Sequence, residues 1–158
     1  MIFTGVTGFS QNRKFAVTKP EAEWQKQLSA EAYQVTSKEG IKPAYTGKYW
    51  DNHEKGIYTC VCFGQELFSS ATKFESGTGW PGFWQPVNKS TLLEEADNSF
   101  NTKRTKITCG RCGAHLGHLF DDGPKPTGLR YCMNSVSLEF TKKENDLVSP
   151  EGDEFTYH

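Results

Sequence analysis

Gly56-Ile-Tyr-Thr-Cys-Val-Cys62, followed by a glycine turn and Glu66-Leu-Phe68, is the stretch on which the fold turns. From Gly56 onward apolar residues recur with the period of strands, so Ile57 to Cys62 and Glu66 to Phe68 are read as a β-hairpin. The second half repeats strand and turn. Arg104 to Cys109 is expected as a strand, Cys109-Gly-Arg-Cys112 as a tight knuckle, Asp121 to Gly128 as a long turn, and Ser135-Val-Ser-Leu-Glu-Phe140 as an alternating strand. Between the halves, Ser76-Gly-Thr-Gly-Trp-Pro-Gly-Phe-Trp84 is expected to be irregular, because its glycines and proline break a ladder or a helix. Two readings of it stay open: a rigid turn packed by its aromatics, or the wall of a small apolar pocket.

Upstream of the hairpin the signals are helical. Thr18-Lys-Pro-Glu21 reads as a capping box that starts a helix with Trp24 and Leu28 on one face. Ser29 restarts a second short helix, and Gly40 is its expected stop. These helices are too short to be the core and read as a lid or brace. Lys42 to His53 reads as a loop anchored by Tyr45, Tyr49 and Trp50. The fold class is therefore mainly β and antiparallel, with short N-terminal helices.

Composition excludes several functions. The chain has 158 residues, the size of one common domain, and 18 Lys and Arg against 19 Asp and Glu give a net charge of −1. Such a balance provides no electrostatic footprint for nucleic acid or an anionic membrane surface. No stretch approaches the roughly 20 apolar residues of a membrane span. The first residues lack the basic flank and apolar run of a secretory signal, so a cytoplasmic location is expected. In that reducing compartment five cysteines point to metal or redox chemistry rather than structural disulfides.

Four of the cysteines form two close pairs, and Cys132 stands alone. In Gly128-Leu-Arg-Tyr-Cys-Met-Asn-Ser135 it has Arg130 two residues before it and Asn134 two after, so an extended backbone turns all three to one face. Arg130 then lowers the thiol pKa or holds a polar substrate, and Asn134 orients either. The plainer alternative is an ordinary buried thiol. Cys109-x-x-Cys112 has the spacing of a zinc half-site, which Cys60 and Cys62 would complete as a four-sulfur site. Cys60-x-Cys62 is one residue short, since a regular strand turns both thiols the same way and a knuckle needs a bulge or sharper turn. His115-Leu-Gly-His118 follows in a compact turn, and its imidazoles suit acid–base or positioning work beside a thiolate. The alternative is one solvent histidine and one satisfied by a hydrogen bond.

Ser76-Gly-Thr-Gly-Trp-Pro81, His115-Leu-Gly-His-Leu-Phe-Asp-Asp-Gly-Pro124 and Thr127-Gly-Leu-Arg-Tyr-Cys-Met-Asn-Ser135 resemble the signature stretches of the methionine-R-sulfoxide reductases, the B-type enzymes. Tyr49-Trp-Asp-Asn52 and Gly56-Ile-Tyr58 belong to the same resemblance, which runs from about Glu21 to Thr141. It implies two antiparallel sheets with N-terminal helices and a reductase domain over residues 21–141. Residues 1–20 are then an extension and 142–158 a tail. The implied activity is reduction of the R epimer of methionine sulfoxide, in peptides or proteins, to methionine.

The resemblance also assigns roles. Cys132 is similar to the nucleophile that attacks the sulfoxide sulfur. His115 and His118 resemble the pair that binds and protonates the oxygen, supported by Asp122 and Asn134, with Arg130 beside the nucleophile. Trp80 and Phe120 are the implied substrate-binding residues, Trp80 enclosing the methyl group. The metal is a structural zinc on Cys60, Cys62, Cys109 and Cys112, and no organic cofactor is expected. The chain departs from the pattern twice. Thr78 stands where many members carry a resolving cysteine, so thioredoxin, glutaredoxin or a small thiol is expected to reduce the Cys132 sulfenic acid directly, unless one of the paired cysteines resolves it. Phe63 stands where the second thiol of the first zinc pair is expected. A monomer without nucleic-acid or membrane partners completes the expectation.

Two other classes compete. A zinc-ribbon interaction module would use the four paired cysteines and leave Cys132 idle. A cysteine hydrolase would pair Cys132 with His115 or His118, but no helix start follows Cys132 to supply an oxyanion hole.

Overall fold

The computed structural model describes residues 15, 18–62, 64–98 and 104–143. Phe63, most of the N-terminal extension and most of the C-terminal tail lie outside them.

Helix α1 spans Glu21–Gln27, and Pro20 rather than Thr18 occupies its cap, with no side-chain capping bond. The expected capping box fails because the residue before a proline is pushed to extended backbone, so Lys19 cannot begin a helix. Helix α2, Ala30–Lys38, starts where the sequence places it: the Ser29 hydroxyl accepts from Ala32 N–H at 3.1 Å. It buries Ala32, Tyr33, Val35 and Thr36. Its stop falls one residue early, with Glu39 in the left-handed region at φ 60°. Gly40 follows because its N–H closes on the Gln34 carbonyl at 2.9 Å, and a Cβ there would stand 3.2 Å from the same oxygen.

Among the described residues nine strands form two antiparallel sheets. In chain order they are β1 Gly56–Cys60, β2 Glu66–Ser69, β3 Lys73–Phe74, β4 Gly82–Phe83, β5 Leu92–Asp97, β6 Arg104–Cys109, β7 His115–Phe120, β8 Arg130–Met133 and β9 Leu138–Lys142. The first sheet has the order β9-β1-β2 and the second β3-β4-β8-β7-β6-β5. The expected hairpin is present, but β1 ends at Cys60 instead of Cys62. Gly64 N–H donates to the Cys60 carbonyl at 2.7 Å and Cys60 N–H to the Gln65 carbonyl at 2.8 Å, so the chain turns directly after Cys60. Three further expectations are corrected. Gly82–Phe83, inside the stretch read as irregular, pairs with Cys132 and Tyr131. His115 and His118 lie on strand β7 rather than in a turn. Ser135–Ser137 is a 3₁₀ turn and only Leu138 onward is strand, because the chain must leave the six-stranded sheet after β8 and enter the three-stranded one.

The sheets meet through aromatic rings. Phe68 of the small sheet stacks on Phe83 of the large one at 4.4 Å, Tyr58 meets Phe83 edge-on at 5.1 Å, and Tyr131 lies 5.6 Å from Phe68. All four are essentially inaccessible to solvent. Aromatic pairs of this kind contribute about 0.5–1.5 kcal/mol each beyond their burial. The buried Tyr58 hydroxyl is satisfied by the Asn52 amide at 2.8 Å. Tyr131 locks β8 into this core, and β8 carries Cys132 one residue later on its other face.

Candidate active site

Antiparallel register builds the site. Cys132 on β8 lies directly opposite His118 on β7, and Arg130 opposite Phe120. Directly paired side chains on one face of a sheet touch, so sulfur, imidazole, guanidinium and ring are brought together by the ladder itself. His115, three residues before His118, would face away on a regular strand. A register shift between Ile107 and Thr108 places an extra residue in β7 and turns it back, leaving the two imidazoles edge-on at 5.4 Å. Gly117 between them is crossed by β8 so closely that a Cβ would stand 2.0 Å from the Cys132 carbonyl.

A cleft of about 90 Å³ opens over the sulfur, lined among others by Ile41, Trp80, His118, Phe120, Cys132 and Asn134. At roughly 30 Å³ per water it holds the end of a side chain rather than a whole amino acid. A larger open groove of about 780 Å³ adjoins it at Arg104 and Phe120 but contains neither thiol nor imidazole, so the chemistry belongs to the small cleft. The wall is tied down through one backbone unit. Lys42 N–H donates to Asn134 Oδ1 at 2.9 Å, and the Lys42 carbonyl accepts from the Trp80 indole at 2.6 Å. Asn134 also donates to the Leu116 carbonyl at 3.1 Å. The glycine-rich stretch is therefore the pocket wall, of the two readings left open.

Electrostatics separates the titrating groups. Burial pushes the Cys132 thiol up, while the Arg130 guanidinium and the Thr78 hydroxyl pull it back down. Asp122 does not reach the histidines. It forms a two-point pair with Arg130, at 2.8 and 3.0 Å, and Arg130 lies over the Phe120 ring at 4.3 Å. Asp122 thus orients the guanidinium beside the sulfur. His115 is 2% exposed, neither ring nitrogen meets a partner among the described residues, and burial with the neighbouring His118 depresses it to about 4. It does not line the cleft. Burial also lowers His118, but the Asp97 carboxylate opposes this, taking His118 Nε2 at 2.8 Å. Arg104 reaches the same carboxylate at 3.3 Å.

The paired cysteines converge at the other end of β7. The thiols of Cys60, Cys62 and Cys112 lie within 4.8 Å of one another, and Cys60 Sγ is 3.6 Å from Cys112 Sγ. Cys109, buried at the end of β6, is not among these three. Because β1 stops at Cys60, Cys62 sits in the turn and swings toward its partner, which is the sharper turn the short spacing demands. Helix α1 braces this turn: Gln27 donates to the Cys62 carbonyl at 3.0 Å. The thiols compete for protons, so hydrogen bonds from its neighbours draw Cys112 far down while Cys62 is pushed up to about 12. Three thiols converging this closely form a donor set suited to a cation. With Zn–S near 2.3 Å, neighbouring sulfurs of a tetrahedral site stand about 3.8 Å apart, and the 3.6 Å separation matches. The cluster can hold a structural metal such as zinc.

Residues 28–142 match the SelR domain. The chain belongs to the SelR-domain family. The peptide methionine sulfoxide reductase MsrB of Acinetobacter baylyi is 51% identical over 131 residues, covering 82% of this chain and 94% of that relative. The enzyme of the same name from Hahella chejuensis is 51% identical over 130 residues, with the same coverage. The SelR match spans the cleft and the thiol cluster alike. Three parts of the site escaped the sequence reading: Asp97, Arg104 and the Lys42 backbone. Asp97 and Arg104 face each other at the end of the β5–β6 ladder, a pairing that only register reveals, and a backbone amide carries no residue signature.

Proposed function

We propose that the Cys132 cleft reduces the R epimer of a methionine sulfoxide residue held in a peptide or protein. The observation that carries this reading is the cross-strand pair of Cys132 and His118 under the Trp80 wall. Trp80 receives the methyl group, whose burial is worth about 1–3 kcal/mol, so wall and oxygen contacts together select the epimer. Substrate entry displaces water from the sulfur, and Arg130, fixed by Asp122, stabilises the thiolate. Cys132 attacks the sulfoxide sulfur with an electron pair. His118, with Nε2 engaged by Asp97, gives a proton to the oxygen from its other nitrogen; the hydroxyl then passes from the substrate sulfur to the cysteine sulfur, so the sulfoxide S–O bond and the transient S–S bond both break and methionine leaves. His115 stays neutral and packs His118 in place, and Asn134 supports the oxygen side of the cleft. Oxygen ends on Cys132 as sulfenic acid, with two electrons moved from the cysteine sulfur to the substrate.

Two external thiols then supply two electrons, forming a disulfide and water and restoring Cys132. Thioredoxin, glutaredoxin and small thiols are the proposed reductants. Thr78 offers no sulfur, and the paired cysteines are distant: Cys109 N–H donates to the carbonyl of Ala114, four residues before the His118 that faces Cys132, up to about 13 Å at 3.3 Å per residue. Metal on Cys60, Cys62 and Cys112, with Cys109 proposed as fourth ligand, ties the two hairpins together and takes no part in the chemistry. No helix among the described residues is long and apolar enough to cross a membrane, and a cytoplasmic, monomeric enzyme is the proposed setting. Residues 21–141 are proposed as the catalytic domain.

Separated R and S sulfoxides of a blocked methionine peptide, turned over with dithiothreitol, test the reading. The unchanged protein should consume only the R form, and Cys132→Ser should consume neither. Activity of the serine variant above a few per cent rejects Cys132 as nucleophile.

A further inference from the structure

Among the described residues two large apolar side chains are exposed, Ile41 at 47% and Tyr45 at 55%. Both stand in the stretch Ile41-Lys-Pro-Ala-Tyr45, which is fastened to the wall of the Cys132 cleft. The Trp80 indole donates to the Lys42 carbonyl at 2.6 Å, and Tyr45 N–H donates to the Gly79 carbonyl at 2.8 Å. Ile41 lines the cleft directly. The Tyr45 ring lies against Gly79, where a Cβ would stand 2.7 Å from it, and so extends the wall at half-buried Trp80. Single exposed apolar residues are ordinary on any surface. These two share one short loop at a reaction cleft, and Tyr45 is held there against its backbone preference. Its φ of 64° lies in the left-handed region, which is unfavourable for a bulky side chain. Its hydroxyl donates to the Gly77 carbonyl at 3.1 Å and its ring meets Trp50 edge-on at 4.9 Å, contacts that offset the strain and fix the ring.

We infer that Ile41 and Tyr45 form an apolar docking rim that selects substrates by the residues flanking the oxidised methionine, favouring apolar neighbours. This rests on the reading of the cleft as a site for peptide-bound sulfoxide and deepens it. A cleft of about 90 Å³ takes the sulfoxide end of one side chain, so the rest of a peptide must lie across its mouth. Of the surface available there, Arg104 is charged and engaged with Asp97. Ile41 and the Trp80 wall, extended by the Tyr45 ring, offer apolar contact instead. An apolar neighbour of the sulfoxide removes this surface from water as it binds, whereas a polar neighbour gains nothing from it. The rim is also pre-organised. Its tethers to Trp80, Gly79 and Gly77 are made before substrate arrives, so little ordering cost falls on binding. Methionine itself favours apolar interiors, so its chain neighbours are often apolar too, and such a rim meets a common sequence context.

Binding of fluorescein-labelled peptides to the Cys132→Ser protein, read by anisotropy, tests the rim without turnover. Two peptides differ only in whether leucines or serines flank the methionine R-sulfoxide. The leucine peptide should bind about tenfold tighter. In Ile41→Ser and in Tyr45→Ser, each made in the Cys132→Ser background, that advantage should fall to about threefold, and with both substitutions together it should vanish. Equal affinities for the two peptides in the Cys132→Ser protein overturn the inference, as does an advantage undiminished in either rim variant. The ratio of the two affinities cancels any general weakening of the cleft. Thermal melting verifies the fold of each variant, and either single substitution decides the point alone. Because this binding requires no reduction, equal affinities reject the rim only, whereas failure of the unchanged protein to consume the R form rejects the reading of the cleft itself.

Discussion

Asp97 decides the protonation of His118 more than any other single residue, since it is the one carboxylate hydrogen-bonded to that ring among the described residues. A carboxylate at 2.8 Å favours the imidazolium, against burial, which favours the neutral ring. If His118 is the acid, the single-turnover rate falls as pH rises through its pKa. Asp97→Asn removes the opposing charge and lowers that pKa, so the fall should begin at lower pH and the rate at pH 7 should drop about tenfold or more. A profile identical to that of the unchanged protein would remove His118 from the acid role. His115 makes a different prediction. Its folded pKa of about 4 lies below its usual 6.5, so between these values the unfolded chain binds a proton that the folded chain refuses. Stability from this group is complete above pH 6.5 and lost as pH falls toward 4, by up to about 3 kcal/mol. Denaturant titrations of the unchanged protein and His115→Gln across that window should show the variant with a flatter slope.

At the scale of elements, α2 is a lever on the cleft. Its cap at Ser29 fixes where the helix begins, its end at Glu39 fixes where the chain leaves, and Lys42 three residues later ties both Asn134 and Trp80. Ser29→Ala deletes the bond to Ala32 N–H and should cost about 1 kcal/mol, a melting shift of about 2–4 °C for a chain this size. Because the helix precedes the wall rather than forming it, kcat should change less than stability. Calorimetry beside steady-state kinetics separates the two. The same scale explains which elements were legible. Ser29 carries its own signal, and so do the hairpin glycine and the strand through Ile107. The two-residue strand at Gly82–Phe83 carries none, since it exists only because β8 is there to pair with it.

For the whole molecule, the thiol cluster joins β1 to the β6–β7 hairpin from one end while the Phe68, Phe83 and Tyr131 rings join the sheets from inside. Metal loading should therefore appear as stability. Extraction with a strong chelator should lower the melting temperature by many degrees and leave epimer selectivity unchanged, because the cleft is walled by other residues. Cys112→Ser, which removes one of the three clustered thiols, should abolish metal retention in elemental analysis. Full retention by that variant would place the metal elsewhere.

Residue types alone marked the lone Cys132, the arginine and asparagine flanking it, the paired histidines and the paired cysteines, because each is a chemical specialist in a short window. They also carried the change from helix to strand period at Gly56. What they could not carry was distance between windows. Whether Cys60-x-Cys62 can converge depended on where β1 stops, whether His115 faces His118 depended on a bulge, and Asp97 had no motif until β5, β6 and β7 set it against His118. Period and chemistry are local properties of a chain. Register, bulges and the crossing from one sheet to the other are set by packing between segments far apart in sequence, and only the tertiary structure decides them.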